Sequence, residues 1–122
     1  MTSEQLYRLP PGERVKAALA STKLGCSSKV EIIDKQITVA VPTSVCPGKL
    51  MADVAFLSGI SDSEVPPQNE IPLSKAIELS PLGCKSITGG RATNLKFLQA
   101  VLQATVDRGG AEKFTVSVGN AS

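Results

Sequence analysis

Histidine and tryptophan are absent from this 122-residue chain, and its only aromatic residues are Tyr7, Phe56, Phe97 and Phe114. Without histidine, the chain cannot supply Ser-His-Asp or Cys-His catalysis, an imidazole metal ligand or an imidazole pH switch. So few aromatic rings also argue against a surface that stacks unpaired bases. These absences favour a protein that is not an enzyme, and they indicate no cofactor and no metal.

Long apolar runs and a strong excess of one charge are missing as well. The longest apolar segment, residues 50–57, is interrupted by Asp53 and is far too short to cross a bilayer. Thirteen Lys and Arg against eleven Asp and Glu give a net charge of +2, unlike the dense basic face that drives nucleic-acid affinity. We therefore expect no membrane partner, and contact with nucleic acid only through local electrostatics.

Cysteine is scarce, and its spacing suggests no pairing. Cys26, Cys46 and Cys84 form no C-x-x-C motif, so we interpret all three as reduced thiols with structural roles. The first 25 residues contain no basic stretch followed by an apolar run, which predicts a protein that is not secreted. The expected location is the cytoplasm or a virion. An enzyme that uses Cys84 or Asp53 is the remaining catalytic alternative.

The first half of the chain predicts one helix followed by strands. Prolines at a first turn and the apolar spacing after them place a helix at about residues 11–22. From Lys29 the pattern changes: residues 30–32 and 37–41 alternate between polar and apolar side chains, which is typical of a hairpin with residues 34–36 as its connection. Residues 49–57 resume the alternation and predict a third strand, with one side formed by Ala52, Val54 and Phe56.

The second half predicts a loop, a short strand, a long helix and a last strand. Three prolines make residues 58–72 a long exposed loop. Residues 73–79 are open between helix and strand, and we favour a strand over residues 75–79. Apolar residues at three- and four-residue intervals predict the clearest helix at 93–106, and alternation predicts a strand at 111–118.

This order of elements predicts an α+β fold in a single small domain, residues 1–122. We expect an antiparallel sheet of about four to five strands, an N-terminal helix and a longer helix in the C-terminal half. The long helix carries a broad apolar arc, and we expect a symmetric partner to cover its surplus together with the sheet. The alternative is that the N-terminal helix and the last strand cover that arc within a monomer. The arc consists of Leu95, Phe97, Leu98, Val101 and Leu102.

A glycine-rich segment, residues 83–94, leads into the long helix and is the best candidate for a binding site. Glycines at a helix start let backbone N–H groups converge on an anion, and the helix dipole favours negative charge there. The segment matches neither a Walker loop nor a dinucleotide-binding fingerprint. A glycine turn with incidental basic side chains is the alternative. The candidate anion- or nucleic-acid-binding residues are Lys85, Gly89, Gly90, Arg91 and Lys96.

By elimination, the sequence favours a non-catalytic, self-assembling structural protein that forms a homo-oligomer. The more specific hypothesis is a viral or phage coat-type subunit. The basis is a small aliphatic composition rich in Val, Ala, Ser and Thr, with strand edges available for contact. The alternative is a small accessory or regulatory module that binds nucleic acid or a phosphorylated ligand through Lys85, Arg91 and Lys96.

Overall fold

A computed structural model describes residues 2–80, 90–110 and 112–121. It contains helices and strands in an α+β arrangement, which confirms the predicted class. The helices are α1 (Ser3–Tyr7), α2 (Pro11–Ala20), α3 (Pro47–Ser58), α4 (Leu73–Leu79) and α5 (Arg91–Asp107). The strands are β1 (Lys29–Ile33), β2 (Gln36–Pro42) and β3 (Thr115–Ala121).

The sheet of the described residues has three strands in the order β1-β2-β3 and is mixed. β1 and β2 form the predicted antiparallel hairpin, with Asp34 at its turn in a left-handed conformation (φ 54°). β3 pairs with β2 in parallel, so the prediction of an antiparallel-only sheet is wrong. The chain returns to the sheet through helices, and such a crossover brings the next strand back in the same direction. The predicted four to five strands are not confirmed.

The segment predicted as a third strand, residues 49–57, is instead helix α3. Pro47 lies in its first turn and Gly59 ends it with φ 65°, an arrangement that suits proline at a helix start and glycine after a helix end. Its buried side chains include Leu50, Met51 and Val54, which follow a three- to four-residue period. The apolar residues that appeared to alternate in the sequence therefore form the buried face of a helix.

The strand favoured over residues 75–79 is also wrong, because α4 forms there and buries Leu73 and Ala76. The preceding loop, residues 58–72, is less exposed than expected. Ile60 and Val65 are buried in the core, and a 3-10 turn forms at Asp62–Glu64.

The core lies between the sheet and the helices. Along β2, residues 37, 39 and 41 point inward and are fully buried. The apolar arc of α5 packs against α2, α3 and β3, so its members are buried within the chain. The N-terminal helix α2 and the last strand β3 take part in covering this arc, and α3, which was predicted as a strand, covers it as well.

Candidate functional site

Two of the predicted anion-binding residues, Lys85 and Gly89, lie outside the described residues. Gly90 precedes α5 with φ 102°, a backbone conformation that favours glycine, and its carbonyl accepts a hydrogen bond from the Asn94 N–H at 3.3 Å. Gly90 therefore has a conformational reason to be glycine at the start of this helix.

The Arg91 guanidinium is occupied by protein acceptors. It donates to the carbonyl of Val45 at 2.7 Å, to the carbonyl of Pro42 at 2.8 Å and to Asn120 Oδ1 at 2.5 Å. A longer contact of 3.4 Å reaches the carbonyl of Thr43. Arg91 thus joins the start of α5 to the end of β2, to the loop after it and to the end of β3.

Lys96 lies on another side of α5. It lies five positions after Arg91, which corresponds to a rotation of roughly 140° around an α-helix. Lys96 is exposed and borders an open groove of about 570 Å³, whose lining also includes the carboxylates of Glu64 and Asp107. The structure therefore does not bring Arg91 and Lys96 into one cationic patch, and anion binding stays a prediction.

The cysteines differ from the prediction of three reduced thiols. Cys46, the residue before α3, is disulfide-bonded. Its partner lies outside the described residues, as does Cys84. Cys26 is a free, exposed thiol whose Sγ lies 3.0 Å from the carbonyl of Lys23. The spacing of the cysteines was a poor guide because residues far apart in the sequence can meet in the fold.

Asp53, the acid considered for catalysis, lies on α3 rather than on a strand. Its Oδ1 is 3.2 Å from Lys49 Nζ one turn earlier. In the part of the chain that the structure describes, no three His, Cys, Asp or Glu side chains are grouped to hold a metal ion. No helix of that part is long and apolar enough to span a bilayer.

The outer edge of β3 is covered at its start by two glutamine side chains of α5. Gln103 Nε2 donates to the carbonyl of Phe114 at 2.7 Å, and Gln103 Oε1 accepts from the Val116 N–H at 2.9 Å. Gln99 Nε2 donates to the carbonyl of Val116 at 2.7 Å. These amides bind the groups to which another strand would bind, so association through this part of the edge is hindered.

The exposed side of α3 carries the most exposed large apolar side chain of the described residues. Phe56 is 92% exposed, although phenylalanine is among the residues most often buried. Lys49, Ala52 and Asp53 lie on the same side of the helix, because they precede Phe56 by seven, four and three residues. Lys49 is exposed and Asp53 is partly exposed, whereas Ala52 is buried. We call this stripe of four residues the α3 surface.

An apolar hollow of about 340 Å³ lies directly beside Phe56. Its remaining lining comes from α3, from the residues that follow it and from α4, and consists of Ala52, Ala55, Gly59, Ile60 and Ile77. On its other side Phe56 borders a more polar hollow that includes Asp53 and Lys23. The Phe56 side chain therefore projects from the surface, and an apolar hollow lies next to it.

Sequence reasoning missed the α3 surface because it assigned residues 49–57 to a strand with Phe56 beside Val54. In the helix, Val54 is fully buried while Phe56 points outward. The signal that could have found the surface was the pairing of Pro47 with Gly59, which brackets a helix of twelve residues.

Comparison with known proteins gives no relative from which to infer a role: the chain matches no protein-family model, no curated protein and no solved structure. A role must therefore be inferred from the surfaces of the chain itself.

Proposed function

We propose that this protein is a non-catalytic, self-assembling structural protein and that it associates through the α3 surface. The observation that carries the proposal is the 92% exposure of Phe56 beside an apolar hollow. Moving a phenylalanine side chain out of water stabilises an assembly by about 1.5–3 kcal/mol. Aromatic side chains are enriched in the buried centres of protein interfaces, where they fill pockets on the partner.

The covered start of the β3 edge favours association through another surface. Gln99 and Gln103 cover the start of the β3 edge, which makes edge-to-edge pairing there less favourable. A viral or phage coat-type subunit is the specific form of this proposal, and it rests on the small aliphatic composition of the chain.

The accessory module that binds nucleic acid or a phosphorylated ligand receives less support. The guanidinium of Arg91 is engaged by protein acceptors, and Lys96 shares its groove with two carboxylates that repel anions.

The proposal is tested by measuring mass with light scattering on a size-exclusion column across a hundredfold range of concentration. We expect a multiple of 12.7 kDa for the wild type and a shift to 12.7 kDa for Phe56→Gln. Ile33→Gln is the matched control, because Ile33 is also a large exposed apolar residue, at 61%, and lies on β1. The control should keep the wild-type mass. A wild type of 12.7 kDa at every concentration would overturn the proposal.

A further inference from the structure

We infer that the outer edge of β1 pairs with the β1 edge of a second copy, in antiparallel fashion and about a two-fold axis at Val30. This contact lies away from the α3 surface and adds a second surface to the assembly. The inference rests on the proposed function, because so short a strand pairing is weak in water by itself. Association through the α3 surface raises the effective concentration of the second copy, so that the weaker contact forms.

The first argument is that the described residues leave the edge of β1 unpaired. β1 is an outer strand of the sheet, and its pairing with β2 starts beside the turn, where Ile33 lies opposite Gln36. Every second residue from Ile33 bonds to β2, which leaves Val30 and Ile32 facing away from the sheet. Within the described residues, no turn, loop or cap hydrogen bond of the backbone involves these two residues. Val30 therefore offers an N–H and a C=O to another strand.

The other edge of the sheet is less open. Gln99 and Gln103 bind the backbone at the start of β3, as described above. No side chain of α5 is bonded to the β1 edge in the described part of the chain. Pairing through β1 in both copies therefore uses the open edge of each sheet and closes the contact after two copies.

The second argument is charge. Lys29 and Glu31 are exposed on one face of β1, and neither takes part in an ion pair of the described residues. Charged side chains at an edge hinder pairing with most other strands. These two charges are opposite and two residues apart, so an antiparallel pair centred on Val30 places Lys29 of each copy opposite Glu31 of the other. The charges therefore favour a second copy of this chain over an unrelated strand.

The same charges select the register. An antiparallel pair centred on Glu31 would place the two Glu31 carboxylates opposite each other, and like charges directly opposite are destabilising. A parallel pair in register would place Lys29 beside Lys29. In the register centred on Val30, the two Val30 residues exchange both of their outward hydrogen bonds, and both charge pairs are complementary.

The experiment uses cysteines that only this register brings together. Lys29→Cys and Glu31→Cys are made separately in a Cys26→Ser background, which removes the exposed free thiol. The two variants are mixed, left to exchange subunits, treated with diamide and run on a non-reducing gel. Positions 29 and 31 of opposite copies form a pair without mutual hydrogen bonds, whose Cα atoms are about 4.5 Å apart and within the reach of a disulfide.

We expect covalent dimer from the mixture and much less from either variant alone. The mixed pair also keeps one of the two Lys–Glu contacts. Lys29→Cys mixed with Thr115→Cys, which is exposed at the start of β3, is the control and should give no covalent dimer. Circular dichroism should show that each variant keeps its helices.

A second measurement reverses the charges. Lys29→Glu and Glu31→Lys each place like charges opposite each other, so in either variant alone the Val30 N–H should lose its protection from hydrogen exchange. An equimolar mixture of the two should restore this protection, because two acids then face two bases. The Ile33 N–H, which lies in the pairing with β2, is the internal control and should not change. Unchanged protection of the Val30 N–H in both variants contradicts the charge pairing.

Failure of the inference differs from failure of the proposed function. A wild type that assembles and that Phe56→Gln disperses, but whose cysteine mixture gives no more dimer than the single variants, overturns the β1 pairing alone. Covalent dimer from Glu31→Cys alone overturns the register centred on Val30. A wild type of 12.7 kDa at every concentration overturns both proposals. Covalent dimer that persists when Phe56→Gln is added supports the β1 pairing and overturns association through the α3 surface.

Discussion

The side-chain amide of Gln103 lies where a neighbouring strand would lie, with its Nε2 2.7 Å from the carbonyl of Phe114. The same side chain accepts from the backbone N–H of Val116, so one residue of α5 satisfies a donor and an acceptor of the sheet edge. This contact holds the long helix against the last strand and covers the edge there.

We therefore expect Gln103→Leu to lower the free energy of unfolding by about 1–3 kcal/mol, because the groups that it satisfies lose their partners. Urea denaturation measures this change, and hydrogen exchange should show a less protected Val116 N–H. Lys96→Leu, on the exposed side of the same helix, is the control and should change stability by no more than about 0.5 kcal/mol. Equal effects of the two substitutions would contradict the role of the amide.

Arg91 offers a direct comparison between a structural role and the predicted anion site. Arg91→Lys keeps the positive charge but cannot reach Val45, Pro42 and Asn120 together, because a lysine lacks the planar, five-donor fork. We expect both Arg91→Lys and Arg91→Ala to lower the free energy of unfolding, by about 1–3 kcal/mol in urea denaturation. Phosphate titration is the second measurement. A wild type that binds phosphate, together with an Arg91→Lys variant of unchanged stability, would favour the anion site.

Gly109 is constrained by Arg14, a buried residue at 6% exposure. Arg14 donates to the carbonyls of Leu9 at 3.0 Å and Val106 at 3.1 Å, and its guanidinium occupies the space in which a Cβ of residue 109 would lie. Gly109→Ala must displace this group and leave buried carbonyls unsatisfied. We expect a loss of about 1–3 kcal/mol for each carbonyl that stays unpaired.

The matched control for Gly109→Ala is Gly119→Ala on β3, where nothing lies within 4 Å of an added Cβ. Its stability should stay within about 0.5 kcal/mol of the wild type in the same urea series. A Gly109→Ala protein as stable as this control would show that Arg14 can move away at little cost.

The sequence was sufficient to predict elements whose periodicity agrees with their own propensity. The apolar period of the sequence matches the observed element in three cases, which are α2, α5 and the β1–β2 hairpin. The prediction of a strand over residues 49–57 was wrong. Over nine residues, the two-residue period of a strand and the 3.6-residue period of a helix place apolar side chains at some of the same positions. The alanines, leucines and methionine of this segment favour a helix. This propensity, together with the flanking proline and glycine, was the signal that distinguishes a helix from a strand here.

The rest depended on contacts between distant residues, which no local pattern contains. The parallel pairing of β3 with β2 follows from how the helices return the chain to the sheet. The engagement of Arg91 depends on acceptors 29 to 49 residues away. A basic residue beside glycines at a helix start is the same local sequence whether its guanidinium faces solvent or the protein, so the sequence could not separate a binding role from a structural one.

Cys46 gives the prediction that most directly tests the corrected view of the cysteines. It is disulfide-bonded and precedes α3, so the bond restrains the start of the helix that carries the α3 surface. We expect Cys46→Ser, or treatment with a reductant, to lower the free energy of unfolding by about 2–4 kcal/mol, chiefly because the unfolded chain regains freedom.

Alkylation followed by peptide mapping checks the redox state of each cysteine. Cys26 is exposed, so it should react in the native protein. Cys46 should stay unmodified after unfolding without reductant and react once reductant is added. Because thiols are kept reduced in the cytosol, a protein isolated with Cys46 oxidised would favour an oxidising location over the cytoplasmic one predicted from the sequence. Immediate alkylation of Cys46 in the unfolded, unreduced chain would instead restore the prediction of reduced thiols.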